Sequence, residues 1–194
     1  MLASKSGKLT KVLVEQWLKD VYCKLVPDYS VLLLDSWTGQ NEQNINASFP
    51  DDKVVNVKTI PKGATAFVQP LDVFGFRVWK QFVRFVYDLI LLENCDINIH
   101  LRNNVLKTQS LTHNQLSSPR FRNMWKYSWY KCEYVNVRPR HFENPVDFCF
   151  KSDSIERKCS ICENDSAVRC SWCTKCLCLV DFFVNNHYCT NYNE

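Results

Sequence analysis

The chain has 194 residues, of which 46% are hydrophobic and 23% are charged, and its formal net charge is +4. This composition is that of a folded globular protein, and it excludes a disordered chain or a collagen-like repeat. No apolar run approaches the roughly 20 residues that a membrane-spanning helix needs. The first nine residues also lack the apolar stretch of a signal peptide. We therefore expect a soluble intracellular protein.

The first part of the chain predicts a helix followed by two strands. Apolar residues recur at intervals of three and four from Leu9 to Leu25, which predicts an amphipathic helix over residues 10–25. The apolar run at 29–35 predicts a strand that is buried on both faces, as in a mixed or parallel sheet. Polar residues 41–52 predict a loop, and β-branched residues at 53–60 predict a second strand.

The second part predicts helices followed by a small cysteine-rich module. An apolar stripe predicts a long helix over residues 72–92, which Asp72 is placed to cap, and shorter helices are expected over 104–114 and 118–130. Residues 142–157 have no clear periodicity and are predicted to form a linker. The sequence thus predicts an α/β fold, with one domain and its helical extension over 1–141 and the module over 158–194.

Two aspartates stand at the ends of predicted elements. Asp35 ends the first strand, and Asp72 begins the long helix. Ligands of α/β sheets bind beyond the carboxyl ends of strands, and the dipole at a helix N-terminus favours an ionised carboxylate. If the two side chains converge, they form a site for Mg²⁺, which prefers oxygen ligands. The same residues also suit a turn and a helix cap, so the pattern alone leaves both interpretations open.

The segments around these aspartates resemble the second and third acidic blocks of pogo-type DDE transposases. One segment reads Leu-Leu-Leu-Asp35-Ser-Trp-Thr-Gly-Gln40, and the other includes Ile60-Pro-Lys-Gly-Ala-Thr and Gln69-Pro-Leu-Asp72. The resemblance covers residues 6–129 and implies a ribonuclease-H-like fold. It also implies phosphodiester cleavage and transfer by two metal ions, with Asp35 and Asp72 as catalytic metal ligands.

Two departures from that family's pattern bear on catalysis. The family usually has a histidine five residues beyond the second aspartate, where this sequence has Gln40. The family's first aspartate ends a strand that precedes the helix expected at 10–25, and the sequence printed here has no such strand before that helix. We therefore expect an incomplete ribonuclease-H-like domain that is inactive as this chain, with Mg²⁺ bound only if the site is completed.

The middle of the chain is basic. Residues 73–140 contain eleven basic and four acidic residues, a net charge of +7. Basic residues interleaved with aromatic ones grip phosphates and stack on bases, which favours nonspecific contact with DNA. The alternative is a solvated helix face with the tryptophans in the core. The candidate nucleic-acid-binding residues are Arg77, Lys80, Arg84, Arg120, Arg122 and Lys126.

Seven of the 11 cysteines lie in the last 36 residues. Short C-x-x-C spacings in an intracellular protein indicate zinc ligands rather than disulfides, and structural zinc takes four tetrahedral ligands. Two interleaved ions would use Cys159, Cys162 and Cys178 with Cys176 or Asp181 as the fourth ligand, and Cys170, Cys173, His187 and Cys189. The simpler alternative is one ion on Cys159, Cys162, Cys170 and Cys173.

The cysteine spacing, together with Phe182-Phe183 before His187, resembles the C-terminal cysteine-rich domain of piggyBac-type transposases. That family usually has a cysteine where this chain has Asp181. The resemblance implies a RING- or PHD-like module that recognises DNA ends or proteins. Folding of so small a module would depend on its metal.

These features predict a transposase-derived nucleic-acid-binding protein of the nucleus, with structural zinc and an incomplete catalytic core. One alternative is an active DDE endonuclease or transposase that missing upstream sequence completes. The other is a zinc-dependent adaptor that binds a protein partner through its cysteine-rich module. An upstream reading frame encoding a strand that ends in aspartate would favour the first alternative. Absence of salt-dependent DNA binding would favour the second.

Overall fold

The computed structural model describes residues 8–40, 42–151 and 158–192. The chain divides into two compact units, the first ending at Gln69 and the second beginning at Pro70. The first unit contains a parallel pair of strands and the second is mainly helical, so the expected α/β class is confirmed. Within the described residues, none of the helices has both the length and the apolar character that a membrane crossing requires.

The first unit begins with a helix whose winding changes along its length. Helix α1 spans Lys11–Trp17, and the Thr10 hydroxyl caps it by accepting a hydrogen bond from the Leu13 N–H at 3.4 Å. A π-helical turn over Leu18–Tyr22 follows without a break, and α2 over Cys23–Leu25 ends the segment. The helix predicted over residues 10–25 is confirmed.

Two parallel strands form the sheet of the first unit. Strand β1 spans Tyr29–Leu34 and pairs along its whole length with β2 over Val54–Thr59, which confirms both predicted strands. The expectation that β1 is buried on both faces is wrong. Leu32 and Leu34 are buried on one face, whereas Val31 on the other face is 57% exposed. Within the described residues the sheet has only these two strands, and its buried face packs against α1.

The segment between the strands contains more than the expected loop. A 3₁₀ turn spans Thr38–Gln40, and a short helix, α3, spans Glu42–Asn46. Ile45 is 1% exposed and joins Val14 and Leu18 in the core, which anchors α3. Helix α3 itself contains only one apolar residue, which gives no periodicity from which it could be predicted. The first unit ends after helix α4 over Thr65–Val68.

The second unit is built on one long helix. A π-helical turn over Leu71–Gly75 leads directly into α5 over Phe76–Leu92, so the predicted long helix is confirmed. The N-cap residue is Pro70, and Asp72 lies inside the first turn instead of capping it. The residues that α5 buries recur every four positions, at Val78, Phe82, Val86 and Ile90.

Two further helices pack in this unit. Helix α6 spans Arg102–Leu116, and a 3₁₀ turn over Pro119–Phe121 leads into α7 over Arg122–Lys131, close to the ranges expected from the sequence. Where α7 meets the π-helical turn, Gly75 leaves room for the ring of Trp125. A Cβ at Gly75 would lie 2.9 Å from Cζ3 of Trp125, so the contact requires glycine.

Part of the segment expected to be a linker is a buried helix. Helix α8 spans Pro145–Phe150, and Asn144 caps it by accepting a hydrogen bond from the Val146 N–H at 2.9 Å. Phe148 and Cys149 are 4% and 0% exposed because they join the core of the second unit. The structure therefore differs from the sequence expectation here, since six residues are too few to show a helical period.

The cysteine-rich module is part of the same core. Strands β3, Val168–Arg169, and β4, Cys176–Leu177, pair antiparallel, and a π-helical turn over Val180–Val184 follows. Leu177 and Phe182 belong to one buried cluster with residues of α5, α6, α7 and α8. The module is thus packed into the second unit and does not form a separate body.

Candidate metal centres and nucleic-acid interface

The first candidate metal centre consists of three cysteines and a histidine, and we call it the histidine site: Cys170, Cys173, His187 and Cys189. The Cys170 C=O accepts a hydrogen bond from the Thr174 N–H at 3.0 Å, which closes the tight turn that carries Cys173. The His187 N–H donates to the Phe182 C=O at 3.0 Å and so fixes the backbone after the last π-helical turn.

The ligand atoms of the histidine site have the spacing of a single-ion site. All four lie within 4.8 Å of one another, and Sγ of Cys173 is 3.6 Å from Nε2 of His187. A tetrahedral zinc ion with Zn–S of about 2.3 Å and Zn–N of about 2.0 Å separates its ligand atoms by roughly 3.5–3.8 Å. The residues present therefore fit one metal ion.

The second candidate metal centre contains three cysteines and a carboxylate, and we call it the carboxylate site: Cys159, Cys162, Cys178 and Asp181. Sγ of Cys162 is 3.5 Å from Sγ of Cys178. Oδ2 of Asp181 lies 3.2 Å from Sγ of Cys159 and 3.3 Å from Sγ of Cys178. Asp181, and not Cys176, thus stands beside the three sulfurs.

The two sites interleave along the chain. Cys159 and Cys162 are grouped with Cys178, which lies beyond the Cys170–Cys173 pair of the histidine site. This is the grouping of the two-ion interpretation. Neither group in the described residues joins the first cysteine pair to the second, as a single ion on both pairs would require. Both groups could hold a metal ion.

Burial and hydrogen bonds set the protonation of these ligands. Hydrogen bonds from Cys162, Asn185 and Cys159 hold the pKa of Asp181 below its ordinary range, so this side chain is an anion. Burial raises the pKa of the Cys178 thiol to about 12. Burial and the charge of Lys175 lower the pKa of His187, which favours the neutral imidazole that binds metals. A metal ion must therefore displace thiol protons but none from the imidazole.

A glutamine at the end of α6 connects the helices to the histidine site. Gln115 is 0% exposed, its Oε1 accepts a hydrogen bond from the Ser171 N–H at 2.7 Å, and its Nε2 donates to Sγ of Cys170 at 3.6 Å. Such second-layer hydrogen bonds orient metal ligands and tune their basicity. Sequence reasoning missed Gln115 because a glutamine in a helix is ordinary and carries no metal-ligand spacing.

An open cleft of about 590 Å³ along the first turns of α5 contains one predicted catalytic residue and three predicted nucleic-acid contacts. We call it the Asp72 cleft. All of these side chains are exposed. The structure thus brings a carboxylate together with three cations. The lining residues are Asp72, Phe76, Arg77, Lys80, Gln81 and Arg84.

The other predicted nucleic-acid contacts lie elsewhere in the second unit. Arg120 donates a hydrogen bond to Glu143 at 3.0 Å, and its guanidinium lies 4.1 Å from the centre of the Phe148 ring. Its charge is therefore partly compensated within the protein. Arg122 and Lys126 are exposed on α7. Between them, Trp125 packs against the core and donates its indole N–H to the Leu116 C=O at 2.8 Å.

Asp35 lies in the first unit, directly after β1, and it is exposed. Its Oδ1 accepts a hydrogen bond from the Trp37 N–H at 3.3 Å, which is the turn role that aspartate commonly takes after a strand. The side-chain oxygen of Gln40 is buried and has no hydrogen-bond partner among the described residues. Asp35 belongs to the first compact unit and Asp72 to the second.

Comparison with known families accounts for both parts of the chain. Residues 2–135 match the DDE superfamily endonuclease family. The chain belongs to the DDE superfamily of endonucleases. Residues 129–189 match the Tc5 transposase C-terminal domain. No curated protein and no solved structure matches the chain.

The two matches confirm a transposase-derived identity. The first covers Asp35, Asp72 and the basic residues of α5, so the resemblance to DDE transposases is confirmed. The second covers both candidate metal sites, so the cysteine-rich module matches the Tc5 transposase C-terminal domain. The DDE superfamily match supports a role connected with nucleic acids.

Proposed function

We propose that this DDE superfamily protein is a nuclear DNA-binding protein that contacts the phosphate backbone through the Asp72 cleft. The observation that carries the proposal is the presence of Arg77, Lys80 and Arg84 in one open cleft beside Asp72. Exposed cations on one helix face neutralise phosphates and release counterions, which gives affinity without sequence preference. Arg122 and Lys126, which are exposed on α7, would supply two further phosphate contacts. Arg120 supplies a weaker contact because Glu143 already pairs with it.

We assign zinc to both candidate metal centres. Thiolate and imidazole donors at tetrahedral spacing suit this ion, and four protein ligands leave no open position for catalysis. Zinc in these sites would be structural. It would hold the segments around β3 and β4 in the core that they share with helices α5 to α8. A protein partner could bind the same module, but the cationic cleft favours DNA as the main ligand.

We propose that Asp35 and Asp72 descend from catalytic metal ligands and that this chain alone does not cleave DNA. Carboxylates of this family would hold Mg²⁺, which supplies an activated nucleophile and stabilises the leaving oxygen. Oδ1 of Asp35 accepts the Trp37 N–H at 3.3 Å, which is the role of a turn residue and not of a metal ligand. A pair of carboxylates alone binds Mg²⁺ weakly, because this ion keeps its waters.

The binding proposal is tested by fluorescence anisotropy with a labelled 20-base-pair duplex of arbitrary sequence. Replacing Arg77, Lys80 and Arg84 together with alanine should weaken binding at least about tenfold at low salt, because three phosphate contacts are lost. The matched control replaces Lys19, Lys24 and Lys62, three exposed lysines of the first unit, with alanine. Equal losses in the two triple variants would assign the binding to net charge and would contradict a role for the cleft.

Catalysis is tested by incubating supercoiled plasmid with the purified chain and Mg²⁺ or Mn²⁺. We expect no nicking above that of the Asp72→Asn variant. Nicking by the unaltered chain that disappears in Asp72→Asn would show a complete active site and would refute catalytic incompleteness. The comparison between the two proteins separates this outcome from a contaminating nuclease, which the substitution would leave unchanged.

A further inference from the structure

A second cleft of the second unit combines cationic and aromatic side chains, and we call it the aromatic cleft. It encloses about 600 Å³ between the start of α5, the middle of α7 and the irregular segment 138–144. No carboxylate stands among its lining residues in the described part of the chain. The residues that carry the argument are Arg77, Arg138, Arg140, Phe74, Tyr127 and Phe142.

The aromatic residues form one wall of this cleft. The ring centre of Tyr127 lies 5.2 Å from that of Phe74 and 5.3 Å from that of Phe142. Phe74 and Phe142 meet edge to face at 6.1 Å. Because each ring contacts the other two, their positions are fixed by packing, and all three remain partly accessible. A flat ligand can stack on these rings at little cost in side-chain entropy, because packing already holds the rings in place.

Two arginines of this cleft lie on a different segment from the cations of α5. Arg138 and Arg140 are exposed and flank Pro139 in the irregular segment before α8. Proline holds the backbone of its predecessor extended, which keeps both guanidinium groups on a stiff stretch of chain. Among the ion pairs of the described residues, none involves Arg77, Arg138 or Arg140. These charges are therefore available to an anionic ligand.

We propose that the aromatic cleft binds an unpaired nucleotide of single-stranded DNA. The base would stack on the wall that contains Tyr127, and Arg138 and Arg140 would hold the flanking phosphates. The inference rests on the proposed DNA binding and deepens it, because it names the form of DNA that the cleft recognises. Arg77 lines both this cleft and the Asp72 cleft, so one strand of DNA can contact both.

The chemistry favours an unpaired strand over a duplex. In a duplex the faces of the bases are stacked on one another, so aromatic side chains reach them only when the strand is open or a base is extruded. Aromatic rings beside a cationic groove are the usual means of binding single strands without sequence preference. The volume of the cleft lies within the range of about 300–1,000 Å³ that ligand pockets occupy.

The test compares a 12-nucleotide thymidine strand with a 20-base-pair duplex by anisotropy, using Arg138→Ala/Arg140→Ala. We expect the affinity for the single strand to fall about tenfold and its log–log salt slope to become shallower by about 1.4, since each phosphate contact contributes ~0.7 on single strands. Duplex affinity should fall less than about threefold, because Arg77, Lys80 and Arg84 remain. Arg102→Ala/Lys131→Ala removes two exposed cations outside the cleft and should leave the affinity for the single strand unchanged.

Stacking is tested separately with a strand that contains 2-aminopurine, whose fluorescence is quenched when it stacks. Binding should quench the probe, and Tyr127→Leu should restore its fluorescence while a circular dichroism melt shows the variant folded.

Equal losses for single strand and duplex in the arginine variant would overturn the inference, as would unquenched 2-aminopurine at saturation. Displacement of the strand by polyglutamate at equal charge concentration would assign the cleft to acidic peptides and also overturn it. Duplex binding by the Asp72 cleft is measured independently with Lys80→Ala/Arg84→Ala, which leaves every lining residue of the aromatic cleft in place, so its loss tests the proposed function alone.

Discussion

At the scale of single residues, one buried glutamine links the helices of the second unit to a metal-ligating sulfur. Gln115 accepts the Ser171 N–H and hydroxyl at 2.7 and 2.9 Å through Oε1, and its own C=O accepts the same hydroxyl at 2.7 Å. Ser171 is 2% exposed, so water cannot replace these bonds. The backbone beside Cys170 is thus held by α6.

We predict that Gln115→Leu weakens both the fold and the metal site. The free energy of unfolding should fall by about 1–3 kcal/mol because the Ser171 N–H is left buried without a partner. Metal affinity should fall by about 10- to 100-fold, as for other second-layer hydrogen bonds. Urea unfolding at a fixed free zinc concentration and competition with a chromophoric chelator measure the two effects. Ser110→Ala, at an exposed position of α6, is the control and should change neither. Wild-type zinc affinity in Gln115→Leu would refute the link.

The ligand sets show what residue spacing can and cannot predict. C-x-x-C pairs identify sulfur ligands because a tight turn brings both thiols to one side. Spacing does not decide whether Cys176 or Asp181 is the fourth member of the carboxylate site. Cys176 lies in β4, whereas Asp181 lies in the π-helical turn that directs its carboxylate towards Cys178. Which of the two residues joins the site depends on where the strand and the helical turn end. The spacing of cysteines along the sequence carries no information about those ends.

At the scale of elements, the sequence predicted helices and strands better than it predicted their buried faces. The stripe expected on the first helix includes Val12, which is 66% exposed, whereas Val14 and Leu18 are buried. This helix is apolar on more than one face, so its period does not single out the side that meets the strands. The sequence does not predict the short helices α3 and α8, because each is too short to show a helical period: α3 has one buried residue and α8 has four.

The contact between the start of α5 and α7 leads to a prediction about Gly75. Gly75→Ala would place a methyl group 2.9 Å from Trp125 and 3.0 Å from Cδ2 of Leu71. The Trp125 indole cannot retreat without losing its hydrogen bond to the Leu116 C=O. We expect a loss of about 1–3 kcal/mol in the free energy of unfolding, as for other overpacked sites. A urea titration measures it. A variant as stable as the wild type would show that this contact is loose.

At the scale of the whole molecule, the cysteine-rich module and the four helices share one core. The sequence suggested a separate module because cysteine spacing changes abruptly near residue 158, and it gave no sign that α8 connects the two parts. Long-range packing of this kind has no local signature. The match to the DDE endonuclease family and the match to the Tc5 C-terminal domain overlap over residues 129–135, and this overlap lies within the second compact unit.

Because the module and the helices share one core, we expect metal removal and acid pH to destabilise the helices as well as the cysteine-rich module. Burial lowers the pKa of His187, so its contribution to stability is present above the unfolded value of about 6.5 and is lost as the pH falls. Protons also compete with the metal for the thiolates. We expect the melting temperature to fall on treatment with EDTA at pH 7.5. The difference between zinc-loaded and EDTA-treated protein should shrink towards pH 5.5. Far-ultraviolet circular dichroism measures both, and an equal zinc effect at the two pH values would contradict this account.

The most direct test of the proposed function is the salt dependence of duplex binding in the wild type and in Arg77→Ala/Lys80→Ala/Arg84→Ala. Each phosphate that the protein neutralises adds about 0.9 to the slope of log affinity against log salt. If all three side chains of the Asp72 cleft contact the backbone, the slope of the triple variant should be shallower by about 2.7. Identical slopes in the two proteins would show that DNA does not enter this cleft and would contradict the proposal.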